Sequence, residues 1–149
     1  MYNRILVAIE HSKADAAILE HIEKLARLTG ASLLLVHVAD GWAARHFDEL
    51  NLRESEEMRE DRAYLAARCE ELRKAGLTVD SVLAMGDPST ELIRIANKER
   101  VDLIAMSTHG HKFIGDVIHG SVANSVRHTS HIPILLVRGS SHGRVEKVS

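Results

Sequence analysis

Five short runs of aliphatic residues recur along the chain, and segments with helical spacing separate them. Several of these runs are apolar at consecutive positions, which is typical of strands whose two faces are both covered by helices. Because the connections are short, the alternation predicts right-handed crossovers and an α/β fold with a doubly wound, mostly parallel sheet. The five predicted strands are Ile5 to Ile9, Ser32 to Val38, Val79 to Met85, Asp102 to Met106, and Ile134 to Val137.

The segments between the strands predict four helices. Ser12, with Asp15 three residues later, is typical of a capping box, and Asp87 followed by Pro88 indicates a second helix start. Cys69 falls on the apolar stripe of a long charged segment, where we expect it to contribute to packing. The predicted helices extend from Ser12 to Gly30, from Asp48 to Lys74, from Asp87 through Ala96, and from Ser121 to about Thr129.

Composition narrows the possible classes of protein. The chain has 149 residues, of which 45% are hydrophobic, and a single cysteine. This balance predicts one globular domain over residues 1–138, followed by a mobile tail over residues 139–149. The formal net charge of −2 provides no general attraction for nucleic acid or anionic lipid. No signal-peptide layout and no apolar stretch of membrane-spanning length occur, so we expect a cytoplasmic protein.

A glycine-bearing connection follows the fourth predicted strand and leads into the last helix. From Ser107 to Ser121 it reads STHGHKFIGDVIHGS. In doubly wound sheets, ligands bind beyond the carboxyl ends of the strands. Gly110 and Gly120 let the main chain approach a ligand closely, and the helix start at Ser121 and Val122 offers unpaired N–H groups. The connection therefore predicts a phosphate-binding loop, with ordinary turn glycines as the alternative.

Other readings of the same segment are weaker. The loop lacks the lysine of a Walker A motif, and no G-x-G-x-x-G follows the first strand, which disfavours a motor-type NTPase and a dinucleotide oxidoreductase. Lys112 is either a phosphate ligand or a solvated lysine. No thiolate or carboxylate completes a zinc set with His109 and His111, so we predict no metal site. Glu10 follows the first strand, and the motif places no nucleophile or second acid near it, so we predict no catalytic residues.

The opening ILVAIEHS from Ile5 to Ser12, the strand from Asp102 to Met106, and the segment from Ser107 to Arg138 resemble the universal stress protein family. The resemblance implies a Rossmann-like five-stranded parallel sheet of order 3-2-1-4-5 with helices on both faces. It also implies binding of ATP, ADP or AMP, with Mg²⁺ or Mn²⁺ bridging the phosphates. In the family, the last strand commonly mediates an antiparallel homodimer.

The nucleotide-binding members of the family carry G-x2-G-x9-G-[S/T] after the fourth strand. Gly110, Gly120 and Ser121 match this motif, but Ser107 stands at its first glycine, and Glu10 stands where the family tends to have aspartate near the adenine and ribose. By resemblance, Ala8 and Val38 border the adenine, Met106 and Ser107 lie along the nucleoside, and Gly110, Gly120, Ser121 and Val122 hold the phosphates.

The two departures from the motif have different physical weight. Serine in place of glycine matters greatly if the main chain at Ser107 needs a positive φ, and little if it is extended. Glu10 keeps the carboxylate but extends the side chain by one methylene. We therefore expect nucleotide binding that is weakened rather than abolished.

Three functions follow from these observations. The first is a stress-response regulatory protein that binds an adenine nucleotide, and the second is a slow ATPase, since no Walker lysine or arginine finger is found. The third is a dimeric interaction module with a vestigial cleft. The last strand, Pro133 to Val137, begins with proline and is edge-like, so we expect a homodimer through it, as the resemblance also implies.

Overall fold

The computed structural model describes residues 1–40, 47–108 and 124–139 of the chain, and the side chains of residue 40 and of residues 47–55 are outside this description. Residues 140–149, most of the predicted tail, also lie outside it. The elements in chain order are β1 (Arg4–Ala8), α1 (Ala14–Thr29), β2 (Ser32–Asp40), α2 (Phe47–Lys74), β3 (Val79–Gly86), α3 (Pro88–Lys98), β4 (Leu103–Ser107), α4 (residues 124–129) and β5 (Ile134–Val137).

The five strands form one parallel sheet. Their order is β3-β2-β1-β4-β5, and each neighbouring pair runs in the same direction. The chain therefore winds outward from β1 through β2 to β3 and then returns to the other side of β1 for β4 and β5. This confirms the predicted doubly wound sheet and its order, and it places the reversal of winding between β1 and β4.

Helices cover both faces of the sheet. On one face, α1 and α2 contribute Ile18, Ile22, Leu65, Cys69 and Leu72 to a core cluster with the strands. On the other face, α3 contributes Leu92, Ile95 and Ala96, and α4 contributes Val126. Cys69 is 2% exposed, which confirms its packing role.

The helix ends show where the local signals hold. Gly30 ends α1 in the left-handed region with φ of 78°, as predicted. The prediction of Ser12 as the N-cap is wrong by one residue, because α1 begins at Ala14 after Lys13. Asp87 is the N-cap of α3, and its side chain accepts the N–H of Thr90.

None of the helices within the described ranges has both the length and the apolar character that crossing a bilayer requires. The longest helix, α2, has 28 residues but is rich in charged side chains.

Candidate functional site

The crevice where the winding reverses lies beyond the carboxyl ends of β1 and β4. These strands are direct neighbours, with Val7 opposite Ala105 in the register. The chain leaves β1 at Ala8 and reaches Glu10 two residues later, and it leaves β4 at Ser107. The fold thus brings these strand ends to one edge of the sheet, where doubly wound proteins bind their ligands.

Three of the predicted ligand-binding residues form an apolar group at this edge. Met106 is 9% exposed and belongs to the core cluster under α3 and α4. Ala8 and Val38 are partly buried and pack against the same cluster. The carboxyl ends of β1, β2 and β4 therefore present an aliphatic surface on one side of the crevice.

Ser107 ends β4 with a buried hydroxyl. The residue is 7% exposed, and its Oγ has no hydrogen-bond partner among the residues that the structure describes. Ser107 does not have a positive φ: among the described non-glycine residues, only His11 and Arg100 do. Ser107 pairs in register with Val137 of β5, so its backbone is that of an ordinary strand. A buried polar atom without a partner is costly, and ligand sites commonly hold such atoms.

Glu10 lies in the loop between β1 and α1, and the loop is organised around Asp15. The Asp15 carboxylate is 2% exposed and belongs to the first turn of α1. Its Oδ1 accepts the N–H of Glu10 at 2.9 Å, and its Oδ2 accepts the N–H groups of His11 at 2.8 Å and Ser12 at 3.3 Å. The Ser12 hydroxyl donates to Oε1 of Glu10 at 3.5 Å. The path of the main chain at Glu10 thus depends on a buried carboxylate.

The helix α2 also contacts this loop. The hydroxyl of Tyr64 donates to Oδ2 of Asp15 at 2.7 Å. The rings of Tyr64 and His11 stack with centroids 4.0 Å apart, and Nδ1 of His11 lies 2.6 Å from Oδ1 of Asp61. His11 has φ of 62°, a left-handed conformation that a non-glycine residue adopts at a cost. These contacts hold the loop in that conformation.

A second histidine contacts the same acid from β2. Nδ1 of His37 lies 2.8 Å from the carbonyl oxygen of Ile9, so this nitrogen carries a proton that it donates. Its Nε2 lies 3.4 Å from Oδ2 of Asp61. Asp61 therefore links α2 to both the β1–α1 loop and β2.

Burial raises the pKa of the Tyr64 phenol to about 12, and the hydrogen bond to Asp15 and the negative charge of that carboxylate add to the effect. The guanidinium of Arg68, 4.9 Å from the centroid of the Tyr64 ring, acts in the opposite direction. The neutral phenol is thus the form that the folded protein favours, and it remains a hydrogen-bond donor to Asp15 at neutral pH.

An open groove of about 610 Å³ lies between α1 and α2, next to this loop. His11 and Ser12 line one end of it, together with Tyr64 and Arg68. The aliphatic group of Ala8, Val38 and Met106 does not line this groove, so the groove is distinct from the crevice between β1 and β4.

The structure does not describe the residues predicted to bind phosphate. Gly110, Lys112, Gly120, Ser121 and Val122 lie outside the described residues, and the same is true of His109 and His111. Within the residues that are described, no group of three or more histidine, cysteine, aspartate or glutamate side chains is arranged to hold a metal ion.

Sequence reasoning did not identify Asp15 and Tyr64 as site residues. The capping-box pattern predicts only a capping role for Asp15, and nothing in the long charged segment distinguishes Tyr64 from its neighbours. One signal was available for Asp15, because it lies three residues before Ile18 and seven before Ile22, on the buried stripe of α1. A carboxylate on such a stripe needs buried donors. No comparable signal existed for Tyr64, because its partner is 49 residues away.

Comparisons of the sequence with known proteins all point to one family. The model of the universal stress protein family matches residues 1–138. A universal stress protein of Thermus aquaticus is 32% identical over 145 residues, covering 93% of this chain and 100% of the relative. Universal stress protein MJ0577 of Methanocaldococcus jannaschii is 26% identical, covering 93% and 96%.

Solved structures share the fold. The structure of MJ0577 superposes with a TM-score of 0.80 at 27% identity, covering 95% of this chain and 99% of that one. A universal stress protein in complex with cAMP gives 0.67 at 19% identity, covering 93% and 98%. A universal stress protein of Archaeoglobus fulgidus in complex with dAMP gives 0.67 at 22% identity, covering 91% and 98%.

Proposed function

This chain belongs to the universal stress protein family, and from that premise we propose that it is a cytoplasmic stress-response regulator that binds ATP or a related adenine nucleotide. The ligand would lie beyond the carboxyl ends of β1 and β4. The observation that carries the proposal is the buried Ser107 hydroxyl at this edge, which has no partner within the described ranges.

The chemistry of the edge suits a nucleoside. Ala8, Val38 and Met106 provide an apolar surface for a flat base. Glu10 lies two residues beyond β1, where its carboxylate would accept hydrogen bonds from ribose hydroxyls. Two proteins with this fold were solved with cAMP and dAMP, so the fold accommodates an adenine nucleotide. The Ser107 hydroxyl would gain a polar partner on the nucleoside.

The phosphates would be held by the connection between β4 and α4. By the family motif, Gly110, Gly120, Ser121 and Val122 would supply main-chain N–H groups, and Lys112 is a candidate for added positive charge. Mg²⁺ or Mn²⁺ would accompany a bound triphosphate and offset part of its negative charge. With no Walker lysine in the loop, we propose binding as the function and at most slow hydrolysis of ATP.

We also propose that the protein is a homodimer through β5, which lies at the edge of the sheet. Leu136 on this strand is 48% exposed, and an edge strand with an exposed aliphatic residue favours pairing with another chain. This assembly is compatible with the alternative function, a dimeric interaction module whose crevice no longer binds nucleotide.

Calorimetric titration with MgATP tests the proposed function. We expect heat of binding and a raised melting temperature at millimolar MgATP, and weaker binding of MgGTP because the base contacts would differ. Glu10→Gln removes the charge at the ribose and keeps the shape, so it should weaken binding, whereas Glu56→Gln on the exposed surface of α2 should not. Absence of heat and of a thermal shift with every adenine nucleotide would favour the interaction module.

A further inference from the structure

Glu10, the acidic residue at the candidate ligand site, is held by a series of contacts that begins on α2. Tyr64 donates to Asp15, and Asp15 in turn accepts the main-chain N–H groups of Glu10 and His11. Both oxygens of Asp15 are used, and the side chain is 2% exposed. A hydrogen bond to a buried charged group is stronger than one between neutral groups, so each of these donors restrains the loop.

The strain at His11 shows that the loop needs this support. Its φ of 62° is unfavourable for a residue with a side chain, and such conformations persist where the surroundings overdetermine them. Three contacts do so here: the bond from its N–H to Asp15, the stacking on Tyr64, and the contact with Asp61. Two of the three come from α2, one turn apart on that helix.

We propose that Asp15 and Tyr64 are positioning residues that set the place of the Glu10 carboxylate at the nucleotide site. The inference rests on the proposed function, because it concerns the same site. A ligand-binding side chain has to be held within about 0.5 Å of its productive position. Because Glu10 has one more methylene than the aspartate of the family motif, its carboxylate meets the ligand only if the main chain is placed to compensate for the extra length.

The connection also gives α2 an influence on the ligand site. Asp61 and Tyr64 lie on the charged helix that packs over β2 and β3 from the outside of the sheet, and both contact the β1–α1 loop. A shift of α2 would break the Tyr64–Asp15 bond and so loosen the carboxylate that holds the main chain at Glu10. Anything that displaces α2 would therefore lower the affinity for nucleotide without contacting it.

The variant Tyr64→Phe tests the inference with little risk to the fold. It keeps the ring that stacks on His11 and removes only the hydroxyl that donates to Asp15. Tyr2→Phe is the matched control, because Tyr2 is also partly buried against the same core cluster and no described residue accepts its hydroxyl. In the ligand-free protein we expect amide hydrogen exchange at Glu10, His11 and Ser12 to become about tenfold faster in Tyr64→Phe and to stay unchanged in Tyr2→Phe.

A double-mutant cycle with the ligand separates positioning from a general structural effect. Tyr64→Phe should weaken MgATP binding about tenfold in the wild-type background and have almost no effect in a Glu10→Ala background. An equal loss in both backgrounds, or unchanged exchange rates with binding intact, would overturn the positioning role. Absence of nucleotide binding by the wild type would overturn the proposed function, and the ligand role of Glu10 with it, whatever the exchange rates.

Discussion

Ser107 and Val137 face each other in register at the carboxyl ends of β4 and β5. This pairing shows whether serine strains the backbone at the first glycine position of the family motif. A residue in a parallel ladder has an extended backbone, which serine adopts without strain. The departure from glycine therefore costs no backbone energy, and it adds a buried hydroxyl to the edge of the candidate site.

The first prediction concerns that hydroxyl. Ser107→Ala removes a buried polar atom that has no partner in the described part of the chain, so the free energy of unfolding of the ligand-free protein should rise by about 1 kcal/mol. Affinity for MgATP should fall about tenfold, because the nucleoside would lose a hydrogen bond. Urea denaturation and calorimetry measure the two effects.

Ser107→Gly is the control for the backbone. In an extended strand, glycine is less stable than alanine by roughly 0.5–1 kcal/mol because it loses more conformational freedom on folding. If the glycine variant were the more stable of the two, the backbone at this position would favour glycine, and our assignment of an unstrained serine would be wrong.

The second prediction concerns the start of α3. Asp87 accepts the N–H of Thr90 at 3.0 Å and the hydroxyls of Thr90 and Ser89 at 2.8 and 2.9 Å. The bond from the Thr90 N–H, followed by the two hydroxyl bonds, holds the pKa of this carboxyl below its ordinary value of 3.8. Asp87→Ala should lower the free energy of unfolding at neutral pH by about 1 kcal/mol.

The pH dependence of this effect has a definite sign. A lowered pKa in the folded state means that the stabilisation is present above the ordinary pKa and is lost as the pH falls through the lowered one. The difference between wild type and Asp87→Ala should therefore shrink as the pH falls from about 5 to about 2. Asp87→Asn keeps an N-cap acceptor without the charge, so its own contribution should not change over this range.

The sheet could be predicted from the sequence because buried parallel strands leave a direct signal. Each aliphatic run is a strand. The bounds of the last run are as predicted, and those of the other four are shifted by a residue or two, as for the first run, where Ile9 is buried but lies just beyond β1. Apolar character reports burial, and hydrogen bonding alone decides where a strand ends. The strand order was implied by resemblance to a family rather than by the runs themselves.

For the candidate site, only the placement of its strand-borne residues could be predicted from the sequence. Ala8, Val38, Met106 and Ser107 meet at one edge because parallel strands end together. No comparable rule predicts which residues of two different helices meet. The contact between Asp15 and Tyr64 depends on how α2 packs beside α1. The N-cap prediction at Ser12 was one residue early for a related reason. The Asp15 carboxylate accepts the Ser12 N–H of the capping box but also binds the amides of Glu10 and His11, and α1 begins after Lys13.

The third prediction follows from the environment of Tyr64. Burial, with the bond to Asp15, raises the pKa of this phenol from 10.0 to about 12. Its stabilising contribution should be complete below the ordinary pKa and be lost as the pH rises through about 12. Titration of tyrosinate absorbance should show a late phase near pH 12 that is missing in Tyr64→Phe. A wild-type titration without a phase near pH 12 would contradict the burial of Tyr64 and its bond to Asp15.

The fourth prediction concerns β5, which ends the strand order and has β4 as its one neighbour among the described strands. We expect the protein to sediment as a dimer at micromolar concentration. Leu136 is 48% exposed on this strand, and Leu136→Glu would place a charge in the middle of the paired strands, where its desolvation opposes association. The variant should sediment as a monomer with its circular dichroism unchanged.

Leu28→Glu is the matched control for this experiment. Leu28 is 84% exposed near the end of α1, so it offers the same change from an exposed leucine to a charge on a different element of the fold. This variant should remain dimeric, because a surface charge away from β5 does not touch the paired strands. Dissociation by both variants would indicate a general effect of added charge, and a monomeric wild type would remove β5 as an interface and leave Leu136 as an isolated exposed residue.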